Sequence, residues 1–185
     1  AKKRYALNVY DNEGVRYAEP KLKVMGLEIV RSSTPAPVRQ YLRDAVKLCL
    51  ASGESALQDY VESVWQEFKE MTPEEIAFPR GCNNLAKYSC GVTIYKKGTP
   101  IAVRGALMFN HQLRGSKLTQ RYQEIKEGDK VKFLYLKEPN LIHENVISFI
   151  GKLPPEFDLH KFVDYDTMFE KSFVEPLNTI TQSLK

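Results

Sequence analysis

The sequence predicts an α+β protein, mainly helical, with an N-terminal β-hairpin and a few additional strands. Three observations support this. Tyr5-Ala-Leu-Asn-Val-Tyr10 and Val15-Arg-Tyr-Ala18 are β-rich runs on either side of a turn-like Asp11-Asn-Glu-Gly14. Between Val38 and Phe68 the apolar residues recur at helical spacing instead. Strand patterns return beyond Lys130, after a glycine-punctuated basic stretch, and a helix closes the chain.

After the hairpin, Lys21-Leu-Lys-Val-Met25 and Leu27-Glu-Ile-Val30 are short apolar runs broken by Gly26. Thr34 is expected to cap a helix with Pro35 at its first position, and Val38, Leu42, Ala45, Val46, Cys49 and Leu50 form its apolar face. Ser52-Gly53 ends it. A second helix follows with Leu57, Tyr60, Val61, Val64, Trp65 and Phe68 on one face. Thr72-Pro-Glu-Glu75 is a capping-box start for a short third helix. Beyond Arg80, Gly81, Gly91 and Gly98 divide short pieces, and Ile101 to Leu113 reads as a helix interrupted at Gly105. Lys130 to Leu136 is a strand launched from a Glu127-Gly-Asp turn, and Val146 to Ile150 is a further one. Pro154-Pro155 breaks the chain. Val163 to Leu184 reads as a final helix with Pro176 near its middle.

At 185 residues with 43% hydrophobic and 11% aromatic side chains, the chain is long and apolar enough for one domain or two small lobes, which argues against disorder. No apolar run approaches the roughly 20 residues that span a bilayer, and no signal peptide pattern opens the chain. Cys49, Cys82 and Cys90 are odd in number with no CxxC pair, so neither a disulfide framework nor a zinc ribbon is indicated; a reduced, intracellular protein is expected. The net charge of +4 is unevenly spread: +5 over residues 1–50, −5 over 51–80, +7 over 81–140 and −3 over 141–185. Two basic blocks around an acidic one can present one positive face to a polyanion, or make an ordinary mixed surface.

Candidate chemistry is sparse. Asp164-Tyr-Asp166 resembles the paired carboxylates that hold two magnesium ions in nucleotidyl transfer. The residues after it read as helix, where carboxylates in the first turn cap and complement the dipole, and capping is the commoner role. His111, His143 and His160 share no metal-ligand spacing, and Ser32-Ser33-Thr34 has no histidine nearby to activate a nucleophile. No Gly-rich phosphate loop is present. Binding chemistry is better represented. Lys2-Lys-Arg4 beside Tyr5 sets three cations next to an aromatic, suited to phosphates and minor-groove acceptors. Arg31-Ser-Ser-Thr34 leads into a helix N-terminus, where free N–H groups and hydroxyls can hold a phosphate or simply cap. Lys87, Lys96, Lys97 and Arg104 lie among small residues that permit close approach to a backbone.

Lys2-Lys-Arg-Tyr-Ala6 resembles the KKRYA motif at the palm-to-thumb junction of family B DNA polymerases. Met25-Gly-Leu-Glu-Ile-Val-Arg31 is similar to the second palm-to-thumb motif of that family, and Gly128-Asp-Lys-Val131 to a later GD-hydrophobic turn. Lys3 to Asp11, Ser32-Ser-Thr-Pro35, Leu85-Ala-Lys-Tyr88, Arg104-Gly105, Lys171-Ser-Phe-Val174 and Pro176-Leu177 resemble polymerases of T-even-type bacteriophages. These blocks fall in the family's order over nearly the whole chain.

The resemblance implies a palm–thumb junction over residues 1–33 and a thumb domain over 34–185, part of a replicative DNA-directed DNA polymerase in the cytoplasm of an infected bacterial cell. Its implied DNA contacts are Lys2, Lys3 and Tyr5, with Arg4 supporting, on the minor-groove side of the duplex. Ser32, Ser33 and Lys87 would meet phosphates, and so would Lys97, Arg104 and Lys171. It implies no catalytic residue and no metal in this chain. The catalytic YGDTDS motif is absent from the sequence, and Mg2+ would sit in the palm of the complete enzyme. The implied partners are primer–template duplex DNA and the remaining polymerase fragment with exonuclease, palm and fingers. The sliding clamp is a further partner of the family, but the aromatic docking tail is not among these residues. The start at Ala1 fits a piece of a longer protein, either truncated or the second chain of a split polymerase gene. The alternatives are a free-standing nucleic-acid-binding protein, or a small metal-dependent nuclease using Asp164 and Asp166.

Overall fold

The computed structural model describes residues 5–12, 15–25 and 33–183. In chain order its elements begin with β1 (Tyr5–Asn12), β2 (Val15–Met25), α1 (Ala36–Ser52), α2 (Glu54–Phe68), α3 (Pro73–Ile76) and β3 (Phe78–Gly81). Next come α4 (Leu85–Tyr88), β4 (Ser89–Cys90), β5 (Ile94–Tyr95), α5 (Ile101–Gly115), β6 (Lys130–Tyr135) and β7 (Val146–Phe149). The chain closes with α6 (Tyr165–Phe169), a π-helical turn (Glu170–Val174) and α7 (Glu175–Ser183). Helix and antiparallel sheet occur together, as the α+β expectation requires. Packing divides the chain into two units, residues 1–71 with 169–185, and residues 72–168.

In the first unit, β1 and β2 form the expected antiparallel hairpin, with Tyr5 opposite Met25 and Asn12 opposite Val15. The register shifts between Val9, opposite Lys21, and Asp11, opposite Arg16. Pro20 falls in that irregular stretch, the kind of place in a sheet where a residue without an N–H is tolerated. The second palm-to-thumb block, beyond Met25, lies outside the described residues.

Helices α1 and α2 follow the periodicity read from sequence. Val38, Leu42, Ala45 and Val46 of α1 and Leu57, Val64 and Phe68 of α2 are buried. Cys49, Leu50, Tyr60, Val61 and Trp65 are half-buried at the rims. Gly53 separates the helices at φ 82°, a conformation that favours glycine. The start of α1 differs from expectation. Pro35 occupies the N-cap position with no side-chain cap, and Thr34 is buried instead of capping. An aromatic cluster closes this unit: Trp65 and Phe68 lie 5.0 and 5.1 Å from Phe169, itself 5.2 Å from Phe173.

The closing helix is also different. Val163 forms an isolated bridge with Leu136, and helix begins only at Tyr165. The π-helical turn at Glu170–Val174 joins α6 to α7 without a break, the Glu175 N–H donating to the Glu170 carbonyl. Helical backbone is otherwise continuous from Tyr165 to Ser183, so Pro176 stands within one long helix as read from sequence, just after the π-helical segment that accommodates its absent N–H.

In the second unit, β3, β6 and β7 make an antiparallel sheet in that order, with Phe78 opposite Phe133 and Leu134 opposite Ile147. Every residue of β7 is buried, so both its faces are covered. Thr72 caps α3 through its Oγ1, which accepts from the Glu75 N–H at 3.4 Å, as the capping-box reading expects. Helix α5 packs on β7 and runs unbroken through Gly105. The interruption expected there does not occur. A Cβ on Gly105 would lie 2.7 Å from the Ser148 backbone nitrogen, so the glycine serves close approach of helix to strand. Ser148 Oγ donates to the Ala102 carbonyl at 2.8 Å across the same contact. Strands β3, β4 and β5 and helix α4 carried no sequence expectation.

Candidate nucleic-acid interface

The sequence-derived contact residues distribute over both units. In the first, Lys2, Lys3, Arg4 and Ser32 lie outside the described residues. Tyr5 opens β1 opposite Met25, Ser33 is half-buried just ahead of α1, and Lys171 is exposed on the π-helical turn. In the second unit are Lys87, Lys97 and Arg104.

The second unit builds a compact basic feature around α4 and the β4–β5 hairpin. The Glu127 carboxylate accepts from the backbone N–H groups of Asn84 and Leu85, the latter at 2.8 Å. It thereby caps the short helix that bears Lys87, whose ammonium lies 5.2 Å from the Tyr88 ring centroid. Ser89 then pairs with Tyr95 and Cys90 with Ile94. The ladder continues as the Lys96 N–H donates to the Tyr88 carbonyl at 2.9 Å. Lys87 and Tyr88 are thus brought beside Lys96 and Lys97, and all three lysines are exposed. The signal that could have found this hairpin is Gly91 between the short runs Ser89-Cys90 and Val92 to Tyr95.

Arg104 is placed otherwise. Its Nη2 donates to Asn145 Oδ1 at 3.0 Å, its Nε lies 3.9 Å from Glu144 Oε1, and its guanidinium stands 5.8 Å from the Tyr95 ring. Glu144 also accepts from the Tyr95 hydroxyl, which pushes the Tyr95 pKa up. The arginine charge is met from within the unit, and it ties α5 to β5 and the Asn140–Asn145 loop. A second pair, Arg114 with Glu124, holds the end of α5 in the same way and keeps the Glu124 carboxyl below its usual range.

Asp164 accepts the Thr167 N–H at 3.1 Å on one carboxylate oxygen and the Thr167 hydroxyl at 2.8 Å on the other. That is the capping role expected from its position before α6, and Asp166 stands exposed in the first turn. Among the described residues, no group of three or more His, Cys, Asp or Glu side chains is arranged to hold a metal ion.

Two features had no sequence signal. His111 and His143, which share no spacing, line one cleft of about 410 Å³ with Tyr95, Gln112 and Glu144. Cys90 lines a neighbouring cleft of about 510 Å³. The Thr93 hydroxyl, the backbone N–H groups of Thr93 and Val92, and nearby Lys96 lower its pKa to about 7.

No protein-family model matches the chain. Over 188 residues, 99% of this chain, it is 37% identical to the DNA-directed DNA polymerase of Enterobacteria phage T4. Over 189 residues and its whole length, it is 39% identical to the DNA-directed DNA polymerase of Escherichia phage RB69. The chain is similar from end to end to part of a phage DNA-directed DNA polymerase. That part is a fifth, since each alignment covers 20% of the relative. The phage polymerase resemblance read from the KKRYA block and its followers therefore extends over the whole sequence. No helix among the described residues is long and apolar enough to cross a membrane.

Proposed function

We propose that this chain is the thumb of a family B replicative DNA polymerase, with the palm–thumb junction at its N-terminal end, residues 1–33. It grips the primer–template duplex by phosphates and minor groove, and it holds the primer 3′ end where the rest of the enzyme can extend it. The observation behind this reading is the similarity, at 37% and 39% identity along the chain, to a fifth of two phage polymerases, a span that includes the ordered KKRYA, Ser32-Ser-Thr-Pro35 and Leu85-Ala-Lys-Tyr88 blocks. The exposed lysines around α4 and the β4–β5 hairpin supply sequence-independent phosphate chemistry. In this reading the exonuclease, palm and fingers belong to the remaining polymerase fragment, whose palm carboxylates would hold the magnesium. The site of action is the cytoplasm of an infected bacterium.

The thumb acts by positioning: displacing a reacting atom by about 1 Å can cost on the order of a hundredfold in rate. The chain alone should bind duplex DNA weakly, without sequence preference and with steep salt dependence, and should incorporate no nucleotide. Mixed with a fragment supplying exonuclease, palm and fingers, it should restore primer extension. Nucleotide incorporation by the chain alone, or no gain in extension on mixing, would overturn the reading.

A further inference from the structure

We propose that the β4–β5 hairpin is a preset finger whose tip residue, Val92, rests on the deoxyribose faces of the duplex minor groove while Lys87, Lys96 and Lys97 meet the flanking phosphates. This rests on the duplex-binding reading above and adds a contact that none of the KKRYA, serine or lysine assignments contains.

Val92 is 92% exposed, well beyond Leu141 at 55% and Ile150 at 47%. A singly exposed apolar side chain is ordinary on a protein surface, but this one stands at the end of a held structure. Below it, Cys90 pairs with Ile94 and Ser89 with Tyr95. The Tyr95 hydroxyl is anchored on Glu144, and Arg104 closes over the Tyr95 ring. Ile94 has φ 72°, a conformation that a β-branched residue keeps only when its surroundings enforce it. The ordering cost of presenting the tip is therefore met before any ligand arrives.

Charge selects the partner. Lys87, Lys96 and Lys97 stand at the foot of the hairpin, and none is in an ion pair among the described residues. An apolar tip above three unpaired cations suits a surface where phosphates border an apolar strip, which is the sugar-lined edge of a nucleic-acid groove. The minor groove fits better than the major. Valine offers no hydrogen bond, and in the major groove it would favour the thymine methyl group and so read sequence. The sugar walls of the minor groove are the same for every base pair.

The test uses the full 185-residue chain and fluorescence anisotropy with a labelled duplex at fixed salt. Val92→Ser should weaken binding about tenfold without changing the salt slope, because it removes apolar contact and no phosphate contact. Val92→Ile should bind like the parent. Lys97→Ala should lower the salt slope by about one. A duplex with uracil in place of thymine should bind equally well, and a minor-groove-binding dye should compete. Parental affinity of Val92→Ser would overturn the finger while leaving duplex binding intact. Weaker binding to the uracil duplex would place the tip in the major groove and overturn the minor-groove assignment. Absence of duplex binding by the parent chain would overturn the underlying reading and the finger with it.

Discussion

Cys82 and Cys90 are the same side chain in opposite surroundings. Burial, with the Glu127 and Asp129 carboxylates, pushes the Cys82 thiol up to about 11. Hydrogen bonds from Thr93 and Val92, with Lys96 nearby, bring Cys90 down to about 7. A lowered pKa means that thiolate accumulates above that value, so iodoacetamide labelling of Cys90 should rise through pH of about 7 while Cys82 stays unlabelled. Thr93→Val should return the Cys90 midpoint toward the ordinary 9.0; peptide mapping by mass spectrometry across pH reads both. Asp164 illustrates the same dependence on surroundings. With both carboxylate oxygens engaged by Thr167, Asp164→Ala should cost about 1 kcal/mol in urea denaturation and Asp164→Asn distinctly less, since an amide oxygen still caps. Asp164→Asn with Asp166→Asn should leave the metal dependence of a reconstituted polymerase unchanged. Loss of extension in a folded double variant would make the aspartates catalytic.

At the scale of elements, α5 on β7 is the contact most sensitive to a single atom. Alanine normally stabilises a helix interior by about 1 kcal/mol relative to glycine. At Gly105 the added methyl would lie 2.7 Å from the Ser148 nitrogen and closer still to Ser148 Oγ. Gly105→Ala should therefore destabilise the protein by about 1–3 kcal/mol, the cost of overpacking. Ser148→Ala should not rescue it fully, because the backbone nitrogen remains in the way. Thermal and urea melts of the two single variants and the pair would decide; a stabilised Gly105→Ala would refute the close approach. The π-helical turn before α7 belongs to the same class. Pro176 reads in sequence as lying near the middle of one helix, and the chain keeps that helix continuous by widening the preceding turn, Glu170–Val174, to π geometry.

At the scale of the whole molecule, the segment 169–185 packs with 1–71, so the first unit is closed by residues from the far end of the chain. The proposed duplex contacts of the KKRYA block belong to that unit and the lysine-ringed hairpin to the other. The two sets should separate functionally in a reconstituted enzyme. Lys3→Ala or Tyr5→Ala should impair primer extension and shift the balance toward proofreading, because the proposed thumb reading sets both near the primer terminus. Lys87→Ala should mainly weaken duplex retention and lower the salt slope by about one. Equal effects of all three on the ratio of extension to excision would contradict this division.

What the sequence determined by itself is whatever repeats over a short stretch of chain. The β1–β2 hairpin follows from two β-rich runs around a turn, and the buried faces of α1 and α2 follow from helical periodicity. The Thr72 and Asp164 caps follow from residues only three apart. The polymerase resemblance was legible for a related reason, since contiguous blocks in a fixed order carry their own evidence. Tertiary structure alone decided the contacts between distant residues. Glu127 caps a helix start 42 residues away at Leu85, and Arg104 turns its charge inward to Asn145, 41 residues on. Gly105 meets Ser148 on a neighbouring strand, and Val92 is left bare at the end of a hairpin braced by Glu144. Such pairings leave no periodicity or spacing to read, because the chain between the partners is free to be any sequence that folds them together.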